Sequence, residues 1–408
     1  MARRRSDLAS VGAGRMSVVE TAKPRTALLY NPRVRGIAYQ VLLCALIAFL
    51  AWGAISNAIE NLARAKIASG FGFWHNTAGF DISQHLIDYS TTSTYGRAFW
   101  VGLLNTLLVA GIGIVLATVL GFIIGIARLS TNWLVARLAA IYVELIRNLP
   151  LLLQLLFWYN AVLKVLPELR DSLAIPGGGF LNNRGLFLPQ PVFKEGFGLV
   201  LIALAVAVVA SIAFRIWAKR RQVVTGGQAP VFRVTLALLL GLPLLALLLT
   251  GFPVEFAYPE KGRFNIRGGV EILPEFMALL FGLVIYTAAF IAEVVRAGIM
   301  AVPKGQAEAA YSLGLRPGPT LRLVVIPQAM RVIVPPLTSQ YLNLTKNSSL
   351  AVAIGYPDLV QIFAGTVLNQ TGQAVEVVII TMGVYLTISL VTSLLMNIYN
   401  RRVALTER

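Results

Sequence analysis

Eight apolar stretches, separated by segments rich in Arg and Lys or in Gly, Pro and aromatic residues, set the rhythm of this 408-residue chain. They run from about Ile37 to Ile55, Phe99 to Ala127, Leu134 to Leu163, Gly198 to Trp217, Val234 to Phe252, Phe276 to Ile299, Val332 to Ala351 and Val375 to Ile398. Each approaches or exceeds the ~20 residues that a helix needs to cross ~30 Å of hydrocarbon. The second and third are long enough to tilt. The pattern predicts an all-α integral membrane protein with about eight transmembrane helices.

Composition agrees: 57% of residues are hydrophobic, 13% are charged, and mean hydropathy is +0.73. Soluble domains carry about 25% charged residues. A net charge of +17 would suggest nucleic acid in a soluble chain. Here the cations gather between apolar runs, which is the positive-inside pattern, so no nucleic-acid partner is expected. The arm at 1–36 holds Arg3, Arg4, Arg5, Arg15, Lys23, Arg25, Arg33 and Arg35; the alternate loops hold Arg128 and Arg137, then Lys219, Arg220, Arg221 and Arg233, then Lys304, Arg316, Arg322 and Arg331; the tail at 401–408 holds Arg401, Arg402 and Arg408. The opposite loops contain Asp81, Asp88, Glu255 and Glu271. Both termini are therefore expected in the cytoplasm. With no apolar run before about residue 37, no cleaved signal peptide is expected.

Chemistry is sparse. Cys44, the lone cysteine, sits in an apolar run, which leaves no internal disulfide and argues against a metal site. The two histidines, His75 and His85, lie together in the first outer loop, and no phosphate-binding glycine loop or nucleophile triad occurs. The chain is expected to bind no cofactor and to be no enzyme.

The loop after the sixth run is different. Pro303 ends that run, and Lys304-Gly305-Gln306 leads into Ala307–Leu313, a run of helix formers. Gly314 suits the left-handed conformation that terminates a helix, and Pro317 and Pro319 restart the chain. Ala309 and Ala310 permit close approach by another surface, and Glu308 offers a charge to a basic partner. This is either a docking helix for a soluble partner or an amphipathic loop with none.

Polar residues inside the apolar runs are the other candidates. Glu144 and Arg147, and likewise Glu293 and Arg296, stand three apart on one helix face. Each pair either neutralises itself or also binds across helices to hold one arrangement of an inner gate. Thr345-Lys346-Asn347-Ser348-Ser349 interrupts the seventh run. It lines a path, with donors for a carboxylate, or caps a helix and bonds between helices. Asn105, Thr106, Gln154, Tyr341 and Asn343 are weaker path candidates. Pro150 and Pro335-Pro336 are expected to kink their spans, as is Pro243. Gly111, Gly113, Gly121 and Gly125 predict close helix packing. The outer loops at 57–97 and 164–196, with Phe71, Phe73, Trp74, Phe180, Phe187 and Phe193, form either an interfacial aromatic belt or a surface for an external partner.

Glu308-Ala309-Ala310, three residues, Gly314, nine residues, then Val324-Val325-Ile326-Pro327 resembles the EAA loop of ATP-binding cassette (ABC) importer permeases. Val324 and Ile326 depart conservatively from that motif. Asn105-Thr106-Leu107, Glu144 to Leu152, Ala292 to Ile299, Pro303 to Gln306 and Lys346 to Leu350 resemble the polar amino acid branch, a type I fold. The enlarged size is similar to the permeases of general L-amino acid uptake systems of Gram-negative bacteria. The resemblance implies a five-helix core at 98–163 and 272–400, with coupling loop 303–327. To this are added a helix at 37–56 and two inserted helices within 164–271. It implies ATPase coupling through Gly305, Glu308, Ala309, Ala310, Gly314 and Pro327. The partners implied are a second permease in a heterodimer, two ATPase subunits that bind the ATP and Mg, and a periplasmic amino acid-binding protein, at the bacterial inner membrane. The competing expectation is a secondary transporter driven by an ion gradient, with intramembrane carboxylates or broken helices in two related halves.

Overall fold

The computed structural model describes residues 32–64, 70–262 and 265–403. The basic arm expected over 1–36 lies outside this up to residue 31, as does Arg408 of the tail. Helix α1 (Pro32–Arg64) belongs to a compact unit of its own. It continues past Ile55, where the expected span stopped, and closes on an Arg64–Glu60 pair at 3.2 Å one turn apart. Its apolar side chains, among them Leu42, Phe49 and Trp52, are exposed, as a face meeting lipid must be.

The second unit holds the bundle: α2 (Tyr95–Ala127), α3 (Trp133–Asn148), α4 (Leu151–Leu156, continued by a π-helical turn to Leu163), α5 (Phe197–Thr225), α6 (Val231–Leu249), α7 (Pro274–Met300), α8 (Lys304–Ser312), α9 (Pro317–Thr320), α10 (Ile326–Asn347), α11 (Leu368–Thr371) and α12 (Ala374–Val403). Seven helical segments of the described residues are long and apolar enough to cross a membrane, and α3 with α4 makes an eighth if counted as one span. Local chemistry starts them: Thr94 caps α2 through Arg97 N–H, Asn132 caps α3 through Leu134 and Val135 N–H, and Pro274 opens α7.

The expected third span, Leu134 to Leu163, is not one straight helix. It bends by 105° between Asn148 and Leu151. Pro150 has no N–H to continue the α3 ladder, and Leu149 takes an extended conformation ahead of it. Elsewhere α10 runs on through Pro335-Pro336 to Asn347, followed by a 3-10 segment, Ser348–Ile354.

The core lies where α2, α7 and α10 meet, around Val109, Ala117, Leu279, Leu283, Ile291, Val295, Ile333 and Leu344. Glycine makes this approach possible. A Cβ built on Gly121 would stand 2.6 Å from Ile291 Cβ, and one on Gly125 2.8 Å from Val295 Cβ and from Ala292 O. At Gly111, expected on the same small-residue face, a Cβ would meet nothing within 4 Å. Gly125→Val is therefore expected to cost ~1–3 kcal/mol by overpacking. It should lower the thermal unfolding midpoint of the purified protein, while Gly111→Val leaves it unchanged.

A second cluster joins the loop before α2 to the bundle. Phe73, Ala78 and Ile82 are buried with Tyr95 and Phe99 of α2 and with Leu359, Ile362 and Phe363. The Trp74 ring lies tilted 5.1 Å from that of Phe99 and 6.0 Å from that of Phe363. These aromatics are core, whereas Phe71 remains exposed.

The loops around the inserted helices contain strands that the hydropathy pattern did not predict. β1 (Leu173–Ile175), β2 (Gly179–Asn182), β3 (Gly185–Leu188) and β8 (Val270–Ile272) form an antiparallel sheet in that order; β4 (Gln190–Phe193) pairs with β5 (Val254–Ala257), and β6 (Glu260–Lys261) with β7 (Ile266–Arg267). Registers such as Leu186↔Ile272 and Val192↔Glu255 zip the two ends of the insertion together. The α5–α6 pair thus stands on a β-stem. The chain is helical in bulk with a small β-subdomain. Runs of two to four residues are too short to show the alternation that marks a strand.

Candidate functional site

Three groups of candidate side chains emerge. The first is the loop from Pro303 to Pro327. Pro303 precedes α8, which starts at Lys304, three residues before the expected Ala307. Gly314 has φ of +78°, Gly314 N–H donates to Tyr311 O at 2.8 Å and Leu315 N–H to Ala310 O at 3.1 Å, a left-handed helix stop. Ala310 is buried and anchors α8, while Gly305, Glu308, Ala309, Gly314 and Pro327 are exposed. Gln306 and Gln328 bond at 3.1 Å across the loop. Tyr311, Leu313, Leu321, Leu323 and Ile326 form an exposed apolar set around α8. Unlike the lipid-facing residues, these flank a short polar helix between spans, which suits them to a protein surface.

The second group is an arginine cage around Glu293. Arg296 Nη2 donates to its carboxylate at 2.7 Å, Arg128 donates to the same carboxylate, and Arg147 Nη1 lies at 3.7 Å. Arg147 also stacks over Phe290, 5.1 Å from the ring centre. The Glu293–Arg296 pair forms as expected, but the Glu144–Arg147 pair does not. Glu144 is exposed, and Arg147 turns to the carboxylate of another helix. The less hydrated site wins because charge attraction strengthens as water is excluded. Three helices, α2, α3 and α7, are tied at one carboxylate. Glu293 lies seven residues before Met300, so the tie sits roughly 10 Å along α7 from the start of the loop. Arg128 was missed from the sequence because it reads there only as a basic loop residue.

The third group is a groove of about 430 Å³ between α10 and α12, lined by Lys346, Ser349, Thr381, Tyr385 and Ser389 with Val360, Met382 and Leu386. Lys346 is exposed and joins no ion pair among the described residues. Ser348 is buried and its hydroxyl donates to Thr345 O, and Ser349 donates to Lys346 O. Both serines therefore have their protons on their own helix, and Asn347 is half-buried. Thr381, Tyr385 and Ser389 recur every four residues, a polar stripe that could have been read from an otherwise apolar span.

The weaker path candidates have other roles in the structure. Asn105 is buried and donates to Gln84 O and Pro357 O, both at 2.8 Å. Thr106 donates to Gly102 O and accepts from Leu359 N–H. Both fasten the turn at 355–359 to α2 instead of facing an open path. Gln154 donates to Ile146 O and Leu149 O, satisfying carbonyls freed at the α3–α4 bend. Tyr341 Oη lies 3.0 Å from Thr118 Oγ1. Asp358, unremarked in the sequence, is fully buried in the turn between spans; it accepts from Gln361 N–H at 2.8 Å and Tyr385 O–H at 3.2 Å. Burial pushes its carboxyl up to about 7, although those hydrogen bonds oppose the shift.

Residues 227–405 match the family described as binding-protein-dependent transport system inner membrane component. The general L-amino acid transport system permease protein AapQ of Rhizobium johnstonii is 54% identical over 380 residues, covering 93% of this chain and 95% of that protein. The glutamate/glutamine/aspartate/asparagine transport system permease protein BztB of Rhodobacter capsulatus is 45% identical, covering 93% of this chain and 96% of that protein. With the loop, the apolar spans and near-full-length identity in agreement, the chain belongs to the binding-protein-dependent transport system inner membrane components, as a permease subunit of the amino acid ABC importer branch.

Proposed function

We propose that this chain forms one half of a membrane path that carries a broad range of L-amino acids inward across the bacterial inner membrane, paired with a second permease. Two ATPase subunits that hold the ATP and Mg dock on the α8 loops of the two permeases, and a periplasmic binding protein delivers the amino acid. Both termini and the α8 loop face the cytoplasm. The observation that carries this reading is α8 itself: a short polar helix with one buried anchor, Ala310, an exposed Glu308-Ala309 face and a glycine stop. ATP works by binding one arrangement of the assembly better than the other. The arginine cage transmits the push, since it joins α7, from which the loop departs, to α2 and α3. An ion-driven secondary transporter would leave that loop without a purpose.

In the groove between α10 and α12, Lys346 offers its ammonium to an amino acid carboxylate and Ser389 offers a hydroxyl, whereas Thr381 donates its own to Val377 O at 2.8 Å. Lys346→Ala is expected to lower ATP-driven uptake by about tenfold, or ~1.4 kcal/mol, while the ATPase subunits still co-purify. Uptake at the wild-type rate with the same substrate profile would remove this groove from the path.

A further inference from the structure

The two inserted helices carry a feature to which the proposed function gives no role. Between α5 and α6 lies a cleft of about 540 Å³. Val208, Ser211, Ile212 and Arg215 of α5 line it, four positions that fall on one stripe of a helix, and Phe232 and Thr235 of α6 face them.

Two side chains in this cleft lack partners. Ser211 is only 7% exposed, and its Oγ has no hydrogen-bond partner, not even the carbonyl one turn back that mid-helix serines commonly use. Arg215 stands within the apolar helix, and no Asp or Glu occurs anywhere from Phe197 to Thr250. It joins no ion pair among the described residues. Arg215 is exposed, and a guanidinium at the edge of hydrocarbon with no carboxylate within its own helix pair is open to an anion from outside. The surroundings add to the same field. Lys219 follows one turn later on the Arg215 stripe, Arg220 and Arg221 come next, and Arg233 opens α6. Arg221 is held over the Trp217 ring at 5.3 Å, an aromatic placement common at membrane interfaces. The walls below the cations are apolar, and α6 has no buried residue at all, so lipid reaches it freely.

We infer that this cleft is a binding site for one anionic glycerophospholipid: Arg215, supported by Lys219, takes the phosphate, Ser211 O–H donates to the ester region one turn deeper, and Val208, Ile212 and Phe232 cover the acyl chains. The cationic head end and apolar wall match a lipid with a charged phosphate better than a soluble anion, which would leave the wall bare. The β4–β5 stem closes the far end of the pair, so the cleft is held as part of the fold.

The test is native mass spectrometry of the assembled permease–ATPase complex in detergent, titrated with phosphatidylglycerol. Phosphatidylcholine serves as the neutral lipid and glycerol 3-phosphate as the free headgroup. The expected result is a tightly held phosphatidylglycerol whose affinity falls at least tenfold in Arg215→Gln and is largely kept in Arg215→Lys. Phosphatidylcholine should not replace it, and glycerol 3-phosphate should not displace it. Ser211→Leu keeps every cation but fills the deep end, and should weaken binding too; it serves if Arg215→Gln fails to assemble. Unchanged phosphatidylglycerol binding in either variant, equal binding of phosphatidylcholine, or displacement by glycerol 3-phosphate would overturn the assignment.

Discussion

Glu293→Gln is expected to abolish coupled transport and to lower the yield of folded protein, because it leaves Arg128, Arg147 and Arg296 facing one another around a neutral side chain. Removing one partner of a desolvated ion pair costs on the order of 3–5 kcal/mol. The Glu293 side chain is 27% and the Arg128 side chain 13% exposed, so screening places the cost toward the lower end. Even that lower figure is a large part of the stability of an ordinary domain. The double variant Glu293→Gln/Arg147→Gln removes one of the stranded cations and should recover part of the loss. Thermal stability of the purified protein and ATP-driven uptake check both statements. A single variant as stable and active as wild type would show that the cage holds nothing.

The second large effect is at Gly314. Its φ of +78° lies in the left-handed region, where most L-residues pay about 1–2 kcal/mol. A Cβ there would meet nothing within 4 Å, so space is not the constraint; conformation is. Gly314→Leu should redirect the chain as it leaves α8 and tilt the exposed Glu308-Ala309 face. Insertion should be normal, while uptake falls by more than tenfold at retained ATP hydrolysis. Gly314→Asn should keep most of the activity, because asparagine enters the left-handed region more easily. This contrast separates conformation from side-chain loss. Normal coupling in a well-expressed Gly314→Leu variant would remove α8 from the coupling route.

Much of this was legible in the sequence, for identifiable reasons. Apolar runs report lipid-crossing helices because no other composition tolerates the bilayer interior, and α2, α7 and α12 begin and end near the expected positions. The α8 loop was legible because proline and glycine act locally: Pro303 precedes the helix and Gly314 stops it. Pro150 predicts a kink but not the 105° turn, whose extent depends on Leu149 and on Gln154 capping the freed carbonyls. Partner choice was the least legible. Sequence spacing pairs Arg147 with Glu144, whereas packing brings it to Glu293, 146 positions away by number, and adds Arg128. Asn105 and Thr106 read as polar residues inside a span, and only the fold shows the 355–359 turn that takes up their hydrogen bonds. The strands from Leu173 to Phe193 escaped because each is only three or four residues long.

In the proposed function, α8 couples a partner ATPase to amino acid movement through this chain. The most direct measurement is uptake of a panel of labelled L-amino acids into proteoliposomes containing the chain with its partner permease and ATPase, with ATP inside and the binding protein outside. Uptake of several chemically different amino acids is expected, and it should require ATP, resist protonophores and be lost with Gly314→Leu. Uptake that persists without ATP and collapses with a protonophore, or an ATPase that does not bind the chain at all, would contradict it.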